Sequence, residues 1–193
     1  MKQLFLDSST NLLYIAVGHN GHLIEETYRI GKKDHGKHVV DRIDQLLKRR
    51  DLTIDDIDAI YVGNGPGSYT GLRVSVMVAK MIAYTKGIEL YAVSSLFFLS
   101  SGYHFIKAPM IDARNSNVFG AVYHEDETLL KEGLRKTSDL QKLAGEFHAK
   151  PVFLDEFHYA VDIKCIMRKA QKVEDIHHFI PNYLRQTQAE REL

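Results

Sequence analysis

The residues best able to do chemistry in this chain are a glycine-rich loop, an early aspartate and two histidine pairs. The loop, Gly63-Asn64-Gly65-Pro66-Gly67-Ser68-Tyr69-Thr70-Gly71, places four glycines in nine residues. Glycine has no Cβ, so the backbone can take positive φ and bring its N–H groups close to a ligand or another chain. A helix starting there adds free donors and a partial positive charge, which suit an anion. Gly65, Gly67, Ser68 and Gly71 are therefore candidate nucleotide- or phosphate-approach residues. The loop is not a P-loop, because no Gly-Lys-Ser/Thr follows, and Ser68 stands where a dinucleotide fingerprint needs its third glycine. A tight turn into a buried helix accounts for the same residues, and both readings stand.

On its own Asp7 can accept hydrogen bonds from the turn at Ser8 and Ser9, the favoured role. His35 and His38 are three apart and could share a helix face, but no third ligand stands nearby. His177 and His178 are adjacent and cannot share one. His124, Glu125 and Asp126 read as a polar loop after a strand. Ser68 and Ser94 lack a histidine and carboxylate at suggestive spacing. The residues predict no metal site, no cofactor and no catalytic group.

The elements that must position these residues follow from periodicity. Residues 2–6 and 12–17 are apolar runs separated by turn formers, and His22 to Ile30 adds a third strand after Asn20-Gly21. Val39, Val40, Ile43, Leu46 and Leu47 mark a helix from about Lys37 to Arg50. Ile57 to Val62 is a fourth strand, an apolar helix runs from the glycine loop to about Lys86, and Leu90 to Val93 is a fifth strand. Beyond these, strands are expected at Ala108 to Asp112, Val118 to Tyr123 and Val152 to Leu154, with helices at Ser138 to Ala149 and Phe157 to Ala170. No repeat of fixed period is visible. Three strands, then helix, strand, helix and strand, is the order of half an actin-like ATPase domain. The fold class is α/β, in two small lobes.

Composition sets limits. With 193 residues and 45% apolar content the chain can bury a core without staples. Lys plus Arg and Asp plus Glu each number 25, so the field that steers polyanions is missing, which speaks against autonomous RNA binding. Cys165 is the single cysteine, which excludes an internal disulfide and fits a reducing compartment. The opening residues lack a signal-peptide core, and no run reaches the ~18 apolar residues that span a bilayer. A cytoplasmic protein with no membrane association is expected.

The string GNGPGSYTGLRVSVMVAK resembles the signature GPGSxTGLRxG…AK of the TsaB family, also called YeaZ, with Ser75 where a glycine is usual. Leu6-Asp7-Ser8-Ser9 resembles its opening L-D-T-S, and Asp112-Ala113-Arg114 with Val118-Phe119 its D-A-R…V-Y segment. Pro181-Asn182-Tyr183-Leu184-Arg185 with Gln188-Ala189-Glu190 resembles its closing P-x-Y-L-R…Q-A-E. That family is similar to TsaD, the threonylcarbamoyltransferase, within the actin-like (ASKHA, ribonuclease H-like) superfamily. The resemblance to actin-like ATPases implies the alternative role for Asp7, a phosphate-loop aspartate near a metal. The resemblance implies an N-terminal lobe at 1–103 and a smaller, reduced lobe at 104–193. It implies a non-catalytic scaffold that binds TsaD, lets the ATPase TsaE dock, meets transfer RNA only indirectly and forms a homodimer when alone. The metal-binding H-x-x-x-H of TsaD falls here on Ser95 and Leu99, neither of which suits zinc or iron. A small ATPase or kinase is the alternative, and a metal-dependent protease an older one.

The helices Lys37 to Arg50 and Ser68 to Lys86 are the expected partner surface, through Val39, Ile43, Leu46 and Leu47 on the first and Leu72, Val76, Ala79, Lys80 and Ala83 on the second. The second is apolar nearly all round and must be covered on more than one face. Glutamate at Val76 or Ala83 is expected to break association and spare the fold.

Overall fold

The computed structural model describes residues 1–31 and 34–184. Arg185 and Gln188 to Glu190 of the closing motif lie outside the described residues.

The chain opens with β1 (Lys2–Asp7), β2 (Leu12–His19) and β3 (His22–Ile30). The second hairpin turns at Asn20 and Gly21, both at positive φ, which suits an Asn-Gly hairpin turn. A single 3-10 turn at His35–Lys37 leads into α1 (Val39–Lys48), two residues shorter at each end than expected. Then come β4 (Ala59–Gly63), α2 (Tyr69–Lys86), β5 (Glu89–Val93) and α3 (Ser95–Ser100). Ser68 caps α2 by accepting from the Gly71 amide, and Gly87 ends it in the left-handed conformation.

The second half repeats the first half's plan. β6 (Lys107–Asp112), β7 (Asn117–His124), β8 (Glu127–Lys136), α4 (Thr137–Glu146) and β9 (Lys150–Phe153) mirror the order of β1, β2, β3, α1 and β4. The chain closes with α5 (Ile163–Lys169) and β10 (Gln171–Lys172). One sheet runs β10-β5-β4-β1-β2-β3 and the other β8-β7-β6-β9. In each, an antiparallel meander joins parallel strands, β1 to β4 to β5 and β6 to β9, as in the actin-like, ribonuclease H-like fold.

Three expectations need correcting. β8 was not foreseen, because it is an edge strand with no buried residue and hence no clean alternation. The helix expected at Phe157 to Ala170 begins only at Ile163. Asp155 holds a turn by accepting from the Phe157 and His158 amides, and Asp162 caps the helix by accepting from Lys164 and Cys165. β10, which the boundary at 103 assigns to the second lobe, pairs with β5 in the first sheet.

Strand alternation sends side chains to opposite faces of the first sheet. Leu4, Leu6, Leu13, Ile15, Val17, Ile60 and Val62 meet α1 and α2. Phe5, Tyr14, Tyr61 and their neighbours meet α3, α5 and the second lobe.

Candidate functional site

The glycine loop begins where β4 ends and is bonded to the chain on several sides. The Asn64 amide donates to the Val93 carbonyl at 2.9 Å, the Gly65 amide to the Ser95 hydroxyl at 3.0 Å, and the Ser68 amide to the Ser9 carbonyl at 2.7 Å. The Gly71 amide donates to the Ser68 hydroxyl at 3.4 Å, and its carbonyl accepts from Ser8 Oγ at 2.7 Å. Four donors that a phosphate would need are thus engaged within the protein. The glycines have a matching explanation. A Cβ on Gly65 would lie 2.6 Å from the Asn182 carbonyl oxygen, and one on Gly67 would lie 2.5 Å from that of Ser9. On Gly71 it would run into the Ser8 carbonyl. Gly65 and Gly67 also sit at φ +111 and +159. The neighbours at these close approaches are carbonyl oxygens, which repel an anion. Of the two readings of Gly65, Gly67, Ser68 and Gly71, the structure supports the turn into a buried helix.

Asp7 is fully buried beneath this loop. Its Oδ1 accepts from the Ser9 amide at 2.8 Å and the Ser9 hydroxyl at 2.7 Å, the turn role; Ser8 bonds to Gly71 instead. Oδ2 faces Gly63 and the Ser95 hydroxyl, so closely that a Cβ on Gly63 would collide with both. Burial pushes the carboxyl pKa above its usual range, against the hydrogen bonds from Ser9, and Oδ2 has no hydrogen-bond partner among the described residues. Ser95 and Leu99 are buried on α3, Ser95 holding the loop and Leu99 packing among Phe97 and Phe98. Among the described residues no group of three His, Cys, Asp or Glu is placed to hold a metal, and no helix is long and apolar enough to cross a membrane.

The histidine pairs are taken up by carboxylates and backbone. His38 Nε2 lies 3.6 Å from Asp34, which also grips Arg29. His35 is buried with Nε2 3.4 Å from the Thr10 carbonyl, and burial pulls its pKa below the usual value. His178 Nδ1 contacts Asp175 at 2.7 Å, and the His177 ring packs on Tyr84.

The expected partner residues are not on the surface. Val39, Ile43, Leu46, Leu47, Leu72, Val76, Ala79 and Ala83 are all at most 4% exposed, and all but Leu72 join the aliphatic core on the first sheet. They form the inward stripes of the two helices, at the spacing that covers one face. Lys80 bonds to the chain's own C-terminal segment. The outward stripe is different: Met77, Met81 and Tyr84 are 66, 50 and 62% exposed, with Val40 of α1 at 55%. Helical spacing identified the helix; its uniform apolarity concealed which side faced out.

The C-terminal segment forms a strap beside α2. Its Val173 amide donates to the Leu90 carbonyl and its Asn182 amide to the Asn64 carbonyl. With the ends of β4 and β5 and the inner side of β7 and β8, it encloses a cleft of about 780 Å³ between the lobes. There Glu132 of β8 accepts from Ser94 Oγ at 2.8 Å and Asn182 Nδ2 at 3.2 Å, and burial raises its pKa. This clasp joins both lobes and the strap. No motif marked it.

Residues 28–160 match the family model for TsaD, tRNA N6-adenosine threonylcarbamoyltransferase. The chain is 36% identical over 135 residues to the tRNA threonylcarbamoyladenosine biosynthesis protein TsaB of Bacillus subtilis, and 25% over 138 residues to that of Escherichia coli. These alignments take in 68 and 69% of this chain but 59% of each relative, so the chain spans little more than half of the curated proteins it matches. Among solved structures, YeaZ from Pseudomonas aeruginosa superposes with a TM-score of 0.74 at 23% identity, covering 95% of this chain and 99% of that one. That likeness is one of fold.

Proposed function

Because the chain belongs to the TsaB (YeaZ) family, we propose that it serves as a non-catalytic subunit in making threonylcarbamoyladenosine in transfer RNA. It binds the catalytic subunit TsaD and forms the platform on which TsaE docks, while transfer RNA meets it only through that assembly. Alone, it pairs with its own copy.

The outward stripe of α2 carries this reading. Met77, Met81 and Tyr84 lie one helical turn apart and are exposed, as is Val40 of α1, beside a core already filled by the opposite side of the same helix. Large exposed apolar patches mark interaction sites, and methionine adapts its shape to a partner. The positions corresponding to metal ligands in the catalytic relative carry Ser95 and Leu99, both spent on packing, so the chain has no transferase chemistry of its own.

The test is to deplete the protein in its source cell, restore either the parent or Met77→Glu, and measure threonylcarbamoyladenosine by mass spectrometry. Restoration by the parent and failure of Met77→Glu are expected. Unchanged nucleoside on depletion would end the assignment. A reading as an ATPase finds less support, because four loop amides and Asp7 Oδ1 are bonded within the protein.

A further inference from the structure

Lys80 is the only charged residue of α2 between Arg73 and Lys86. A lysine on a solvent-facing helix flank normally extends into water. Here Nζ donates to the His177 carbonyl at 2.9 Å and the Phe179 carbonyl at 2.6 Å, and no carboxylate among the described residues pairs with it. It captures two carbonyls of the strap, two positions apart.

The strap needs such a fixing point. From Val173 to Leu184 it has no regular secondary structure and no fully buried residue. It is held by apolar packing of Val173, Ile176, Phe179 and Leu184 against the two cores and by polar attachments that include the Val173 amide to Leu90, Lys80, and Asn182 to Asn64 and Glu132. Lys80 stands between the two ends. Rings reinforce the track, with His177 edge-on to Tyr84 at 4.6 Å and Tyr183 tilted against Tyr69 at 4.8 Å. Both tyrosines belong to the exposed side of α2. Ile180, next in the chain after Phe179, adds a side chain 69% exposed.

We propose that Lys80 is a positioning residue that clamps the strap along α2, so that strap and outer helix face meet the catalytic subunit as one composite surface. The proposal rests on the subunit reading above. It assigns Lys80 a role inside the protein, through two carbonyls, and makes residues 177–183 part of what the partner touches.

The experiment uses the full chain with Lys80→Met, which keeps the apolar stem, Lys80→Arg, which can still donate to both carbonyls, and Met77→Glu, which leaves the strap alone. Amide hydrogen exchange at Val173 and Asn182 reads the strap, and titration with the purified TsaD of the source organism reads the surface. Lys80→Met is expected to speed exchange at Asn182 at least tenfold and weaken TsaD binding at least fivefold, with Lys80→Arg restoring most of both. Unchanged exchange in Lys80→Met overturns the clamp. Faster exchange with parental affinity overturns the composite surface, and failure of Lys80→Arg to restore either readout overturns the carbonyl-capture role. The parent and Met77→Glu separate the two readings: no TsaD binding by the parent counts against the subunit assignment, and parental affinity in Met77→Glu counts against the outer face of α2, whatever Lys80→Met does to the strap.

Discussion

The two faces of the first sheet are built from the same strands and differ in chemistry. The face under α1 and α2 is aliphatic: leucine, isoleucine, valine and alanine, with no aromatic ring among its buried residues. The opposite face is aromatic. Phe5, Tyr61 and Tyr91 stack across β1, β4 and β5 with centroids 5.0 and 4.8 Å apart, while Phe98 meets Tyr14 and Phe97 meets Tyr123 edge to face. Branched side chains suit a helix lying close on a sheet. Rings suit the wider join between lobes, because they fill more space and carry a polar tip to the wet margin. The Tyr14 hydroxyl donates to Glu26 at 2.6 Å and that of Tyr91 to Glu89 at 2.9 Å. Burial raises the Tyr61 pKa to about 12. One face makes a lobe; the other joins two.

The hardest test of the contrast is a charge on the aliphatic face. Val76 is 2% exposed, so Val76→Glu buries an unpaired carboxylate and is expected to cost about 3–5 kcal/mol or prevent folding. Urea unfolding followed by circular dichroism decides it. This reverses the expectation that a glutamate there would spare the fold. On the aromatic face, Phe97→Ala removes a ring that meets Tyr123 and lies beneath the Lys107 and Lys169 ammonium groups. A loss of about 3–5 kcal/mol is expected, with hydrogen exchange rising more in β7 than in β1. Equal rises would show that the rings do not specifically join the lobes.

A smaller effect concerns His35, the buried ring where the chain enters α1. Its folded pKa is below 6.5, so the unfolded chain binds the proton more readily and stability falls as pH drops below 6.5 toward the folded value. One such group contributes at most about 1.4 kcal/mol per pH unit. Urea midpoints between pH 5 and 7.5 should slope more steeply in the parent than in His35→Gln; parallel slopes would remove His35 as the cause. The smallest expected change is Met77→Glu, one position from Val76 but on the outward stripe. It should alter stability by no more than about 0.5 kcal/mol, and a larger loss would place Met77 in the core.

Much of the first lobe was legible because its strands alternate and α1 has a single stripe. Asn20-Gly21 marked the hairpin turn, and four glycines marked a loop between β4 and α2. What those glycines approach was not legible: Asn182 meets Gly65 from more than a hundred residues away, and spacing within the loop says nothing of it. On α2 the apolar residues run all round, so the buried Leu72, Val76, Ala79 and Ala83 could not be told from the outward Met77 and Met81. A cue was present in residue type, since small and branched side chains sit inward and the long ones outward. The run Ser95–Ser100 is wholly buried, and a wholly buried helix shows no period. The strap has no period because its bonds are mostly made by its backbone.

β10 gives the fold an order of assembly. Gln171 pairs with Ala92, so the outer edge of the first sheet is closed by chain made roughly 80 residues later. The second lobe is thereby an insertion between two neighbouring strands of the first. At about 5–20 residues per second, β5 leaves the ribosome some 4–16 s before its partner is synthesised, with an unpaired edge open to other chains. Late arrival of two residues sets the period of greatest aggregation risk.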